Sequence, residues 1–548
     1  MEPIWLAQYP RDVDPRPPLT PGTLAPWIEE RLSSFAGREA YRSMGRSLSF
    51  GELHELSIAL AAHLQAEGLA QGSRVAIMLP NVLAFPVATL AVQLAGLVAV
   101  NVNPLYTPRE LAHQLNDSGA RTLIAWEPAL PVIEQALALA PLERVVTMPA
   151  RWLLDGDAAP PARGNGPWRS FAAALADGAR RRLAPVAVEA SAPAFLQYTG
   201  GTTGVSKGAV LSHRNVLAQQ AQLHAWLGPT LARMDAPLRS VTCLPLYHVG
   251  ALMAALFMNL GHGIASILIA DPRNLDAFVA TLRNERFTAF GGINTLYNAL
   301  ASHPGIREVD FSACRYSAAG AASTQPAVAE RWQALTGNWI TEIYGLTETT
   351  ACVSSQVFDG RPFDGSAGLP LPRTEISIRD VEGRELEVGA TGEICVRGPQ
   401  VMEGYWQRPD ETAKVMTEDG YLRTGDVGRI DERGRLFISD RTKDMILVSG
   451  FNVFPNEVEG VLLAHPKVLE AAVVSVPDEH SGEVPIAFVV ARDASLSEAE
   501  LRAHAAASLT AYKRPRRYEF RDALPKSPVG KVLRRALRDE ARSTATGG

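Results

Sequence analysis

Tyr198-Thr199-Gly200-Gly201-Thr202-Thr203-Gly204-Val205-Ser206-Lys207-Gly208 is the stretch on which the reading of this chain turns. Apolar, strand-like residues 194–197 precede it, and residues 209–212 continue as a second strand. Glycines let backbone N–H groups approach phosphate oxygens closely, threonine hydroxyls add donors, and a lysine adds a charge-assisted one. The composition predicts a phosphate-gripping loop between two strands. A Walker loop is disfavoured: it needs Gly-Lys followed by Ser or Thr, whereas Lys207 follows Ser206 and precedes Gly208. Residues 204–208 also match GxSxG, but a nucleophile elbow turns from strand straight into helix, and here the continuation looks like strand. A flexible glycine-rich surface loop is the remaining alternative.

The surrounding chain suits a multi-unit globular protein. Its 548 residues exceed the size at which one core stops growing, and 47% are apolar and 20% charged. A net charge of −5 gives no global field to attract nucleic acid, so phosphate must be bound locally. Four scattered cysteines (Cys243, Cys314, Cys352, Cys395) form no CxxC pair, which points to a reducing cytoplasm. Residues 1–5 contain no basic segment leading into an apolar run, so no secretory signal is expected. Two uncharged stretches, 82–100 and 249–270, approach spanning length, but Pro86, Gly96, Gly250, Asn259, His262 and Gly263 interrupt them. Buried helix-then-strand units are expected there.

Helical patterns at 50–67 and 107–116 alternate with short apolar strands at 74–78, 97–102 and 122–125, as in parallel α/β units. Residues 153–182, rich in Ala, Gly, Pro and Arg, read as an irregular surface connection. Beyond residue 360 short β segments dominate (374–379, 392–397, 434–439). After Asp440-Arg441-Thr442-Lys443-Asp444 a smaller α/β unit follows, with helices at 455–463 and 497–509 and strands at 468–476 and 485–491. The expected division is 1–440 and 441–548.

Further motifs agree with the loop. Tyr344-Gly345-Leu346-Thr347-Glu348-Thr349, Tyr421-Leu422-Arg423-Thr424-Gly425-Asp426, the Arg441 segment and Leu524-Pro525-Lys526-Ser527-Pro528-Val529-Gly530-Lys531 follow it in order. Together these resemble the adenylate-forming superfamily of acyl-CoA synthetases, peptide-synthetase adenylation domains and beetle luciferases. The resemblance implies a large α/β amino-terminal domain with a β-rich part and a small mobile carboxyl-terminal α/β domain. It implies that Thr199, Gly200, Gly201, Thr202, Thr203, Gly204 and Lys207 hold the ATP phosphates, and that Thr347 contacts phosphate. Glu348 holds Mg²⁺, whose hard-oxygen preference suits a carboxylate. Gly320, within Ser317-Ala318-Ala319-Gly320-Ala321-Ala322, is implied beside adenine, in a segment where relatives usually carry more glycine, and Tyr344 and Gly345 are implied among the cofactor-binding residues. Asp426 and Arg441 bind ribose, Lys443 is the hinge, and Lys531 is the catalytic lysine of adenylation.

The resemblance covers residues 5–542 and is densest to bacterial long-chain fatty-acid–CoA ligases, notably at 101–111, 292–300 and 444–453. It implies ATP, coenzyme A and a fatty acid as substrates, with Gly450 and Phe451 serving the thioester-forming half. His248, Val249 and Gly250 are implied near the acyl tunnel, although Val249-Gly250 and Thr349-Thr350-Ala351-Cys352 depart from those ligases and leave chain length open. No carrier module fits after Arg542. The basic residues of 513–538 read as a solvated face or an attraction for coenzyme A phosphates or an anionic membrane. A cytoplasmic protein, in peripheral contact with the inner membrane and forming a homodimer, is the expectation.

Overall fold

The computed structural model describes residues 3–149, 167–199, 206–234, 237–527 and 530–545. Two large sheets, a four-stranded sheet and a smaller carboxyl-terminal sheet organise these residues. In the first large sheet Val98–Asn101, Arg74–Met78, Thr122–Trp126, Arg144–Met148 and Trp168–Ser170 run parallel beside Pro193–Thr199. The second carries Ala265–Leu268, Arg239–Thr242, Ala289–Gly292, Tyr316–Ala319 and Ile340–Tyr344, also parallel. Parallel strands need helical crossovers, and the helices bury both sheet faces. Ala84–Leu94 is buried along its whole length and packs within the largest apolar cluster.

Local chemistry sets the element ends. Thr107 and Glu110 form a reciprocal capping box at the start of Pro108–Ser118, and Gly119 at φ 69° terminates it. The first uncharged stretch becomes Ala84–Leu94 followed by Val98–Asn101, and the second ends in the strand Ala265–Leu268. Among the described residues no helix is long and apolar enough to cross a membrane. The second stretch contains a π-helix, Leu252–Met258, a rare geometry that often marks functional sites.

One expectation fails in part. Of the segment read as irregular, residues 153–166 lie outside the described residues, but Trp168–Ser170 is a strand and Phe171–Gly178 a helix. The Ser170 hydroxyl accepts the Ala173 N–H at 3.1 Å, and Phe171, Ala174 and Leu175 are buried. Alanine and glycine therefore serve close helix contact here: a Cβ at Gly178 would lie 1.7 Å from the Ala59 carbonyl oxygen. The composition concealed a packed helix.

The strands Glu375–Arg379, Gly392–Arg397, Leu422–Ile430 and Leu436–Arg441 form an antiparallel sheet. From Ile446 the chain builds another sheet around the long hairpin Val468–Asp478 and Gly482–Ala491. This carboxyl-terminal unit rests on the helix Asn294–Ser302. Asn298 donates to the Leu469 carbonyl at 2.7 Å, Arg492 to the Ser302 hydroxyl at 2.9 Å, and Thr295 to the Gly530 carbonyl at 3.0 Å.

Candidate active site

The glycine-rich loop joins two antiparallel strands, Pro193–Thr199 and Lys207–Ser212, with Thr199 opposite Lys207 and Tyr198 opposite Gly208. This hairpin is not the strand-to-helix elbow of a hydrolase. The Ser206 hydroxyl donates to the Thr199 carbonyl at 2.6 Å, closing the loop base. Tyr198 donates to Asp117 at 2.7 Å, tying that base to the end of Pro108–Ser118. Gly200, Gly201, Thr202, Thr203 and Gly204 lie outside the described residues.

Asp426 and Arg441 meet because their strands pair in exact opposition, Asp426 across from Arg441. The Asp426 carboxylate is 4% exposed, accepts the Tyr344 hydroxyl at 2.8 Å and pairs with Arg441 Nε at 3.1 Å. Burial, with the Asp426 charge beside it, raises the Tyr344 phenol well above its ordinary value, so it stays a donor. Three residues far apart in sequence thus make one hydrogen-bonding corner.

Tyr344 ends the strand Ile340–Tyr344, and the chain then folds tightly back on itself. A Cβ at Gly345 would lie 1.4 Å from the Ala351 carbonyl oxygen. Thr350 and Ala351 hold φ of 51° and 92°, the left-handed region, to complete this turn. Gly345→Ala should therefore cost about 1–3 kcal/mol of stability through forced backbone displacement. Urea denaturation checks this; unchanged stability would contradict it. The turn presents Thr347 and Glu348, and Glu348 Oε1 accepts the Tyr405 hydroxyl at 2.7 Å.

Gly320 follows the neighbouring strand Tyr316–Ala319, and a Cβ there would sit 3.1 Å from the Ile343 carbonyl oxygen. Ala321 adopts φ of 67°, a conformation better suited to glycine. Ala321 lies in the segment where the resemblance implied more glycine, and it takes this left-handed conformation with a side chain present.

Lys531 enters from the carboxyl-terminal unit, half-buried. The loop holding it is closed by Ser527, whose N–H donates to the Lys531 carbonyl at 2.7 Å. Gly530 has φ of 81°, and a Cβ there would meet Ile293 at 2.5 Å, so only glycine lets the loop seat. Burial pulls the Lys531 ammonium down to about 8; Arg441 and Lys443 add to that effect, while Asp426 and Glu348 oppose it. Lys531 is thus within electrostatic reach of the corner just described.

His248 stands on the opposite chain segment. Its Nδ1 accepts the Gly250 N–H at 3.3 Å, capping a helical turn that begins with buried Val249. Burial first, and then the Lys531 charge, push the imidazole down to about 4. With Nδ1 accepting, the neutral ring carries its proton on Nε2.

Gly450 and Phe451 belong to a different surface. They follow the strand Ile446–Val448, and Phe451 is 59% exposed and stacks on Tyr512 at 5.0 Å. Lys443 lies in the turn after Arg441, where the Asp444 N–H donates to the Arg441 carbonyl at 3.0 Å. The basic 513–538 segment is largely neutralised: Lys513 pairs with Glu457, Arg517 with Glu519, Arg521 with Glu540 and Arg534 with Glu459.

Sequence reasoning missed Tyr405 and Glu411. Both sit beside the loop because Gly404–Tyr405 adds an edge strand to Lys207–Ser212. Glu411 pairs with Lys207, whose ammonium lies 5.1 Å over the Tyr405 ring. The signal available was Tyr405-Trp406 ahead of a helix opened by Pro409, with acids in its first turn.

A glycine-rich segment between paired strands, a buried carboxylate flanked by tyrosine and arginine, a lone carboxylate after a tight turn and a lysine on the carboxyl-terminal unit match the motif set of a nucleotide-dependent acid-activating enzyme. The chain belongs to the AMP-binding enzyme family: that family's model matches residues 28–406, and the model of the AMP-binding enzyme C-terminal domain matches 457–531. It is 44% identical to a long-chain-fatty-acid–CoA ligase of Yersinia pestis over 100% of this chain and 99% of the relative. Among solved structures it resembles the anthranilate CoA ligase AuaEII in complex with anthranoyl-AMP, at TM-score 0.87 and 26% identity, covering 96% of this chain and 99% of that one. ATP-bound MatB from Rhodopseudomonas palustris matches at TM-score 0.83 and 30% identity, over 95% and 99%.

Proposed function

We propose that this protein is a fatty-acid–CoA ligase that forms an acyl-adenylate from ATP and a long- or medium-chain acid, then passes the acyl group to coenzyme A. The observation that carries this reading is the buried Asp426 carboxylate held by Tyr344 and Arg441, with Lys531 brought within electrostatic reach of it on a loop that Thr295 holds at Gly530. In the first step a carboxylate oxygen attacks the α-phosphorus and pyrophosphate leaves. Asp426, held by Tyr344 and Arg441, accepts the ribose hydroxyls. The loop amides, Thr202, Thr203, Thr347 and Lys207 grip the phosphates, and the Lys531 ammonium offsets charge where carboxylate meets α-phosphate. Neutral His248 offers its Nε2–H to the acid.

Mg²⁺ fits this site through Glu348. Such an ion takes one or two carboxylates and completes its shell with phosphate oxygens and water. Among the described residues no cluster of three or more His, Cys, Asp or Glu exists, so a lone carboxylate shared with substrate phosphates is the arrangement available. When bound, the ion neutralises charge on the phosphate oxygens.

In the second step the coenzyme A thiol attacks the acyl carbonyl and AMP leaves. The residues beyond Lys443 act as the moving unit, turning about Lys443 so that Gly450 and Phe451 replace Lys531 at the acyl-adenylate, while Arg441 stays on its strand beside Asp426. A cytoplasmic location belongs to the same reading, since its substrates are intracellular metabolites. The paired charges of 513–538 leave little free positive field, which argues against a strong electrostatic hold on a membrane.

The uncharged π-helical segment beyond His248 packs Leu252, Met253, Leu256 and Phe257 into the core and leaves Ala254, Ala255 and Met258 accessible, an apolar surface that suits an acyl chain. Each added methylene buried there should contribute about 0.8 kcal/mol, roughly fourfold in binding, until the tunnel is full. Measuring kcat/KM for saturated acids from C6 to C16 checks this. A flat series, or preference for an aromatic acid, contradicts fatty-acid specificity.

A further inference from the structure

We propose that Glu411 is the resident counter-ion of Lys207, which the ATP triphosphate must displace, so that this carboxylate sets the protein's affinity for ATP. This rests on the function proposed above. Lys207 leaves the base of the glycine-rich loop and pairs with Glu411 Oε2. Glu411 lies in the first turn of Pro409–Val415, and its other oxygen, Oε1, accepts from Lys414. Two cations on one carboxylate lower its pKa to about 2, with Lys207 the larger influence.

The pair is built into the backbone. Gly404–Tyr405 pairs with Ala209 and Val210, and the Tyr405 N–H donates to Thr412 Oγ1 at 2.9 Å, so the helix carrying Glu411 is pinned to the strand carrying Lys207. A phosphate that takes Lys207 as its partner competes with Glu411 for the same ammonium. The exchange strands neither charge, because Glu411 keeps Lys414 while Lys207 gains phosphate oxygens. Both side chains are about a third exposed, at 35% and 30%, so water screens the exchange and keeps it reversible. A fully buried pair would resist it. On the return, recapture of Lys207 by Glu411 favours release of pyrophosphate.

The test is calorimetric titration of the full chain, in Mg²⁺, with α,β-methylene-ATP, whose P–CH₂–P bridge cannot leave as pyrophosphate, so that it can bind but cannot donate its adenylyl group. Glu411→Gln should bind about two- to fivefold more tightly than wild type, and pyrophosphate should compete better by a similar factor. Glu411→Asp, which keeps the charge, should stay near wild type. In a Lys207→Met background Glu411→Gln should give no gain, because its effect runs through Lys207. Equal or weaker binding by Glu411→Gln overturns the proposal, as does a gain that persists without Lys207. Wild-type protein that binds no nucleotide would overturn the functional reading itself; wild-type binding with no gain in the variant overturns only this inference.

Discussion

Lys531→Ala is expected to lose acid-dependent ATP–pyrophosphate exchange by on the order of 10²- to 10³-fold, while still converting preformed acyl-adenylate and coenzyme A to thioester. The reason is position. The charges of Arg441, Asp426 and Glu348 all act on the ammonium, and on the proposed reading carboxylate and α-phosphate meet there, while the second step uses another face of the same small unit. A pH limb follows from the same geometry. Burial lowers Lys531 to about 8, so its proton is present below that pH and lost above it. The kcat/KM of adenylation, which reports the free enzyme, should fall as pH rises through about 8. Bound triphosphate favours the charged form and should move the limb of kcat upward. Lys531→Arg, charged throughout, should remove the limb. Exchange that is unaffected by Lys531→Ala would show that adenylation does not depend on this lysine.

Lys443→Pro should produce the complementary loss: adenylation persists and thioester formation drops by on the order of 10²-fold, because proline fixes φ near −65° and blocks the backbone change of a hinge. The contacts around this turn divide in a way that suits rotation. Asp444 pairs with Arg538 at 2.9 Å, within the carboxyl-terminal unit. Asp440, on the preceding strand, accepts the Asn456 N–H at 2.9 Å, and Asn456 donates to the Ser439 carbonyl at 3.1 Å. Rotation about Lys443 would keep the first pair and exchange the others. Single-turnover measurement of each half-reaction separates the outcomes. If both lysine variants lose both half-reactions equally while remaining folded by circular dichroism, a two-conformation mechanism does not apply.

Much of this site was legible because its chemistry is local. The strands flanking the glycine-rich loop were visible as short apolar runs, and they pair as a hairpin, while residues 200–204 lie outside the described residues. Asp426 and Arg441 were each readable as motif residues, yet their union depends on the register of two antiparallel strands, which sequence spacing does not specify. Tyr405 and Glu411 were missed because an edge strand of two residues carries them to the loop, and so short a strand leaves no alternation to read. The helix Phe171–Gly178 was hidden for the opposite reason. Its alanines and glycine resemble a loop composition but serve close packing against Phe50–Ala66. The π-helical turn had no signal at all, since an apolar run fits α and π geometry equally.

The central claim is that the acid is activated by direct attack of its carboxylate on the α-phosphorus of ATP. The most direct measurement supplies an acid labelled with oxygen-18 in its carboxyl group, together with ATP, Mg²⁺ and coenzyme A, and follows the label by mass spectrometry. The bridging oxygen of an acyl-adenylate stays with phosphorus when the thiol takes the acyl group. The account predicts one labelled oxygen in AMP for each thioester formed. Label in pyrophosphate or inorganic phosphate, or thioester formed with unlabelled AMP, would contradict it.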